Sequence, residues 1–272
     1  MVKCQIAGIN IGLDYKYDLY FKNNIENYLN PNIKVDHIIK VIYQNNLNKI
    51  PHTKILSKDK DNNIRSMVYY DELYKEVLIY IDPNHFRKES LAHAEYIYMG
   101  MLFLEISFLH DYLPLHGSAI TINDCAVIFS APSGTGKSTH ARLWHERYLD
   151  DVKYINDDKP LLKVIDNEII VFGSPFSGED KKNNNTNKPL KGIVFLEQSK
   201  NNEISLIDNN LIVPLIIKNI LRPEKEEFWD KVLNIINFIA NNIPIYKLKA
   251  DISYNAVETV YNKLFKGDKN EN

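Results

Sequence analysis

A phosphate-loop signature set between a strand and a helix constrains this chain more than any other feature. The apolar residues 125–129 run into Ser130, Ala131, Pro132, Ser133, Gly134, Thr135, Gly136, Lys137, Ser138 and Thr139. A strand that breaks into a glycine-rich turn and then starts a helix aims several backbone N–H groups at one point, where the helix N-terminus adds positive potential. Lys137 supplies a cation for the β and γ phosphates and Ser138 a hydroxyl for Mg²⁺, while Gly134 and Gly136 let the backbone curl without a Cβ in the way. In the usual pattern, a glycine, four residues and then Gly-Lys-Ser/Thr, the first glycine is here replaced by Ala131. Ala141, Trp144 and Tyr148 follow at helical spacing, with His140, Arg142 and Glu146 between them. A turn that only caps a helix has no need of a lysine followed by two hydroxyls. Nucleotide binding is therefore expected, with Ser133, Gly134, Thr135, Gly136, Lys137, Ser138 and Thr139 as its residues.

Length and charge bound the alternatives. A chain of 272 residues has room for one large domain or two small ones. A net charge of -2 leaves no basic footprint, so neither nucleic acid nor a membrane surface is expected as a partner. Cys4 and Cys125 are expected as two free thiols in a reducing compartment. Residues 1–5 show no signal-peptide core and no apolar run reaches the length of a membrane span, which gives the expectation of a soluble, cytoplasmic protein.

Strand-like segments at residues 33–43, 65–70 and 76–82, with turn signals at Asp61-Asn62-Asn63 and Asp82-Pro83-Asn84, predict a small β-rich module over residues 1–86. Leu91, Ala94, Tyr98, Met101, Leu102 and Phe108 change the period to that of a helix, predicted as a link over 87–110 with Ser90 as its cap. Two apolar runs, 115–122 and 125–129, meet at Asn123-Asp124, which predicts an antiparallel hairpin leading into the phosphate loop. In a doubly wound fold that strand would belong to parallel crossover units, so the hairpin points to a mixed sheet. A second hairpin is predicted around Asp166-Asn167, a mobile span over 179–188, a strand at 193–197 and helices at 211–220, 225–240 and 253–265. The core then spans residues 111–266, with a disordered tail at 267–272.

Asp157 and Asp158 end a strand twenty residues after Lys137, one helix and a turn away, so both carboxylates can reach the phosphates. One would bind Mg²⁺ and the other accept the proton of an attacking hydroxyl; a solvated turn before Lys159-Pro160 is the plainer reading. His116 stands in the strand before the loop hairpin, able to face the transfer site or simply to pack. His140 and His145 complete no metal set. The stretch Gly173-Ser174-Pro175-Phe176-Ser177-Gly178, followed by Lys181-Lys182, reads either as a cover for a substrate or as an exposed crossover.

The ordered set Leu115-His116-Gly117-Ser118, Ser133 to Thr139 and Asn156-Asp157-Asp158 resembles the HPr kinase/phosphorylase family, more closely its smaller relatives, which share a core with the ATP-dependent phosphoenolpyruvate carboxykinases. The segments 173–178 and 189–198 resemble the small relatives too, some of which occur in peptide-modification pathways. The resemblance covers residues 115–198 well and the first hundred residues hardly at all. It implies an α/β fold with α+β character, in which a P-loop kinase core carries a mixed, partly antiparallel sheet beside the β-rich N-terminal module. It also implies Mg²⁺-dependent phosphoryl transfer from ATP to a hydroxyl, usually a serine of a peptide or protein, with a small metabolite as a further class of acceptor. By position, Lys137 and Ser138 hold phosphates and metal, Asp157 is the base, Asp158 the metal ligand and His116 a polar group at the transfer site. No segment here matches the protein-substrate loop of the true HPr kinases. The five arginines, Arg65, Arg87, Arg142, Arg147 and Arg222, are few for gripping a dicarboxylate as well as a nucleotide. A nucleotide-sensing protein that transfers nothing is the alternative.

Overall fold

The computed structural model of the chain describes residues 1–132, 134–178 and 182–267. The chain forms two compact units, Met1–His110 and Asp111–Asn272. Both are mixed α/β, each built on a sheet that combines parallel and antiparallel pairs.

The first unit holds β1 (Val2–Ile6), β2 (Ile9–Asp14), the short α1 (Lys22–Ile25), β3 (His37–Tyr43), β4 (Lys54–Lys58), β5 (Ile64–Tyr70), β6 (Glu76–Ile81) and α2 (Lys88–Leu109). Its sheet has the order β1-β2-β3-β6-β5-β4, with β2, β3 and β6 mutually parallel and hairpins at both ends. In β6, Val77, Ile79 and Ile81 are buried while Glu76 is exposed, the period-2 pattern of a strand with one packed face. Helix α2 packs on β3 and β6, inside this unit. A separate link would keep one apolar face and one wet one, but α2 buries Leu91, Tyr96, Met99, Phe103 and Ile106 around most of its circumference. Ser90 does not cap it: Arg87 is the N-cap, and the Ser90 hydroxyl turns back to the Arg87 carbonyl at 2.8 Å. Glu95 of α2 is fully buried, and three donors satisfy it: the N–H groups of Lys16 (3.0 Å) and Tyr17 (2.8 Å) and the Tyr43 hydroxyl (2.8 Å).

The second unit runs β7 (Leu113–Pro114), β8 (Gly117–Ile122), β9 (Cys125–Ser130), α3 (Lys137–Tyr148), β10 (Lys153–Asn156), β11 (Leu161–Ile165), β12 (Glu168–Phe172), β13 (Asn187–Gln198), β14 (Glu203–Leu206), α4 (Asn209–Asn219), α5 (Trp229–Asn242), β15 (Ile245–Ala250) and α6 (Tyr254–Tyr261). The sheet order is β10-β8-β9-β13-β12-β11-β7, and β15 joins β13 while β14 joins β15. The β8–β9 and β11–β12 hairpins close on Asn123-Asp124 and Asp166-Asn167, all four at positive φ, as a type I′ turn requires. Strand β9 pairs antiparallel with β8 and parallel with β13, so the loop that follows it leaves from the interior of a mixed sheet. Trp144 of α3 is fully buried among Phe129, Val194, Leu248, Val257 and Val260, which anchors α3 and α6 on one face.

Several boundaries differ from those expected. His116 lies just before β8, held by a bond from its N–H to the Asn219 carbonyl at 2.7 Å. Within the span expected to be mobile, residues 182–188 are tied down: Asn183 bridges Asn156, the Asn184 N–H reaches the Ile155 carbonyl (3.1 Å), and β13 already begins at Asn187. Glu179, Asp180 and Lys181 lie outside the described residues, as do residues 268–272 of the expected tail. The helix expected over 225–240 opens with a 3₁₀ turn, Glu226–Phe228, before α5. Cys4 and Cys125 are free, and burial pushes the Cys4 thiol up to about 12. Among the described residues no helix is long and apolar enough to cross a membrane.

Candidate active site

The loop between β9 and α3 takes left-handed backbone at two glycines. Gly134 and Gly136 sit at φ +78° and +112°, and a Cβ at either would meet nothing within 4 Å. Backbone angle, not space, is what requires glycine there. Ala131, which stands at the missing first glycine, is buried and has no positive φ, so its methyl adds no backbone strain. Lys137 is nearly buried, and its ammonium caps two loop carbonyls, Ala131 at 2.9 Å and Pro132 at 3.3 Å. Burial holds its pKa below the ordinary lysine value, against the pull of Asp158 and Asp157. Ser138 and Thr139 open α3 beside the cradle of N–H groups; Ser133 lies outside the described residues.

The two carboxylates face different partners. Asp157 has a nearly buried side chain that accepts the Ser118 hydroxyl, with the Lys182 ammonium 3.6 Å away and Ser138 close by. Burial raises its pKa above the usual carboxylate range, and those three neighbours oppose the rise. Asp158 is about one-third exposed, pairs with the Lys159 ammonium at 2.6 Å and stands 3.9 Å from His116 Nε2. Burial holds the His116 pKa below the ordinary histidine value, Lys137 and Lys159 push the same way, and Asp158 opposes them. Thus Ser138 lies near Asp157, while His116 neighbours Asp158.

Four residues that the motifs did not assign hold this arrangement: Asn156, Gly173, Ser118 and Lys182. Asn156, fully buried, accepts the N–H groups of Asp158 (2.9 Å) and Lys159 (2.7 Å) and donates to Ser174 O (3.0 Å), Ser174 Oγ (3.1 Å) and Phe176 O (3.3 Å). One amide therefore fixes both the carboxylate turn and the 173–178 loop, and an Asn at a strand end before two acids was the available signal for it. Gly173 permits their close approach: a Cβ there would lie 2.0 Å from the Asn184 carbonyl oxygen and 2.6 Å from that of Ile155. Ser118 and Lys182 gave no local signal, because both reach Asp157 through strand pairing. Arg142 pairs with Glu146 on the exposed face of α3, a helix-surface role. His140 is buried and takes a hydrogen bond from Trp144 Nε1 at 3.2 Å.

Two clefts flank the phosphate loop. One, of about 400 Å³, is lined by Gly134, Thr135, Thr139, Leu143, Gln198 and Asp251. The other, of about 580 Å³, is lined by His116, Ala131, Pro132, Phe195, Leu215 and Lys218. Leu196 and Glu197 of β13 border both.

No protein-family model matches the chain, and no curated protein matches it. Among solved structures, the chain is similar to the HPr(Ser) kinase/phosphatase from Coxiella burnetii, at 13% identity over 56% of this chain and 97% of that one, with a TM-score of 0.31. So distant a likeness assigns neither family nor reaction. The chemistry rests on the residues just described.

Proposed function

We propose that the chain is a phosphotransferase that moves the γ-phosphoryl group of ATP to a hydroxyl, of serine type, on a peptide, small protein or metabolite, with the second unit carrying the reaction. One observation carries this reading: the loop between β9 and α3 borders two clefts, one beside the start of α3 and one lined by His116, whose ring stands 3.9 Å from Asp158. A nucleotide sensor needs the loop and a single cleft; a transferase needs a second cleft for the acceptor. A cytoplasmic setting, where ATP is supplied, suits it.

The residues present fit Mg²⁺. Asp157 and Ser138, close to each other, offer hard oxygen donors at the start of α3. Among the described residues no set of three or more His, Cys, Asp or Glu side chains forms a complete metal cage, so phosphate oxygens and waters would fill the remaining positions, the usual habit of this ion. When bound, the ion would neutralise charge on the phosphates. The contacts favour the reverse of the division of labour that the resemblance implies. Asp157, turned towards Ser138 and almost closed to solvent, would hold the metal with it. Asp158, more accessible and next to the cleft-lining His116, would orient the acceptor hydroxyl and take its proton. Lys137 would leave the carbonyls of Ala131 and Pro132 for the phosphates, and the loop N–H groups would hold them in line.

The test is phosphate release from ATP, to water and to serine-containing peptides, by the wild type, Lys137→Ala and Asp158→Asn. Lys137→Ala should lose nucleotide affinity as well as turnover. Asp158→Asn should keep affinity and lose turnover by about 100-fold, the usual worth of a positioned base. Unimpaired turnover in both variants overturns the mechanism; tight binding of MgATP by the wild type with no turnover identifies a sensor.

A further inference from the structure

We infer that Lys182 is a catalytic cation of the transfer site, bound to Asp157 when the site is empty and to the transferring phosphoryl group when it is loaded. The inference rests on the reading proposed above and extends it to a residue outside the phosphate loop.

Backbone register carries the argument. The antiparallel bridge between Asn183 and Asn156 places the residue before Asn183 across from the residue after Asn156, so Lys182 faces Asp157. Side-chain and main-chain bonds on the same stretch keep it there. Buried Asn183 donates to Ser177 Oγ at 2.9 Å, and Asn184 bonds the Ile155 carbonyl through its N–H and the Tyr154 carbonyl through its side chain at 2.7 Å. The ammonium, 3.6 Å from Asp157 Oδ2 and 6.0 Å from the centre of the Tyr154 ring, is therefore held by a built element of the site. Asp157 lies close to Ser138 in the first turn of α3, the helix whose N-terminus would cradle the phosphates. The flexible four-carbon stem of Lys182 thus pivots from a point next to the reacting group. Lys137 approaches from the loop side and Lys182 from the carboxylate side.

In the transfer, the acceptor oxygen forms a bond to the γ-phosphorus, and the bond from that phosphorus to the bridging oxygen breaks, its electron pair leaving on ADP. The acceptor proton passes to Asp158. Lys182 keeps its own proton throughout and donates hydrogen bonds to the equatorial oxygens, where charge is spread in the transition state. Its contribution is to the transition state, not to binding of the nucleotide.

The experiment compares wild type, Lys182→Ala and Lys182→Arg by basal ATP hydrolysis, by affinity for a fluorescent ATP analogue with Mg²⁺, and by affinity for ADP with fluoroaluminate, a mimic of the phosphoryl group in flight. Lys182→Ala should hydrolyse ATP about 100-fold more slowly and bind ADP-fluoroaluminate correspondingly more weakly, as for loss of one oxyanion donor, with ATP-analogue affinity within about 3-fold of wild type. Lys182→Arg should recover at least about a tenth of the rate, because it restores a cation at that place. Unchanged hydrolysis in Lys182→Ala overturns the inference. So does an equal loss of affinity for the ATP analogue and the fluoroaluminate complex, or a failure of Lys182→Arg to recover, since either marks Lys182 as a structural partner of Asp157. A wild type without turnover removes the proposed reaction itself, an outcome distinct from these.

Discussion

Acidification should weaken the second unit through His140, and the size of the effect follows from its surroundings. His140 lies in the first turn of α3, beneath the phosphate loop, with its N–H on the Gly136 carbonyl at 2.9 Å. Its ring meets Phe129 edge-on at 4.7 Å, and its Nε2 accepts the Trp144 indole N–H, which leaves the neutral Nδ1–H tautomer. Burial lowers its pKa from the ordinary 6.5 to about 4. Between those values the unfolded chain binds a proton that the folded unit refuses, so stability rises with pH across the window. The contribution is complete above about 6.5 and lost as pH falls towards about 4. Going from pH 7 to about pH 4.5, it amounts to about 2 kcal/mol. His140→Gln keeps an acceptor for Trp144 but does not titrate. Urea unfolding read by tryptophan fluorescence suits the comparison, because both tryptophans, Trp144 and Trp229, lie in the second unit. The wild type should lose about 2 kcal/mol more than His140→Gln over that pH interval. Carboxylates common to both proteins cancel in the difference. Parallel stability curves would refute the burial of a neutral imidazole there.

Three further outcomes are expected. Asn156→Ala should destabilise the second unit by about 3 kcal/mol, because it strands the carbonyls of Ser174 and Phe176 and unties the N–H groups of Asp158 and Lys159; the same urea titration would show it. Gly136→Ala should cost about 1–2 kcal/mol in backbone strain and weaken nucleotide binding about 10-fold, since φ of +112° suits glycine and the strained loop would turn N–H groups away from the phosphates; calorimetric titration with MgATP measures both the affinity and its loss. Asp157→Asn should weaken Mn²⁺ binding in the presence of nucleotide by about 10-fold or more, as followed by electron paramagnetic resonance, whereas Asp158→Asn should leave it near wild type; the opposite ranking would restore the assignment of Asp158 to the metal.

Much of the site could be read along the chain because its geometry is local. Gly134 and Gly136 announce left-handed backbone, Lys137 and Ser138 follow at fixed offsets, and Asn123-Asp124 and Asp166-Asn167 carry the turn chemistry of their own hairpins. Other features left weak traces. Residues 203–206 form an edge strand too short and too exposed to show a clear alternation. The charged, Asn-rich run after Gly178 looks like solvated loop, although Asn183 and Asn184 spend their polar groups on the neighbouring strand. For α2, apolar residues on nearly all sides signal a buried helix, and the spacing of one face concealed this.

The strand, the glycine-rich turn and the helix that flank Gly134 and Gly136 are legible in the run from Ala131 to Thr139, because a few backbone angles and one helix start are local matters. Which carboxylate lies near Ser138, which one stands beside His116, and why Lys182 faces Asp157 are matters of register between segments distant in sequence. A shift of one residue in the Asn183–Asn156 bridge would move Lys182 away from Asp157, because successive residues of an extended chain point to opposite sides. The long-range pairing of β8, β10 and the segment after Gly178 therefore sets which side chains meet at the candidate site, and no local pattern encodes that pairing.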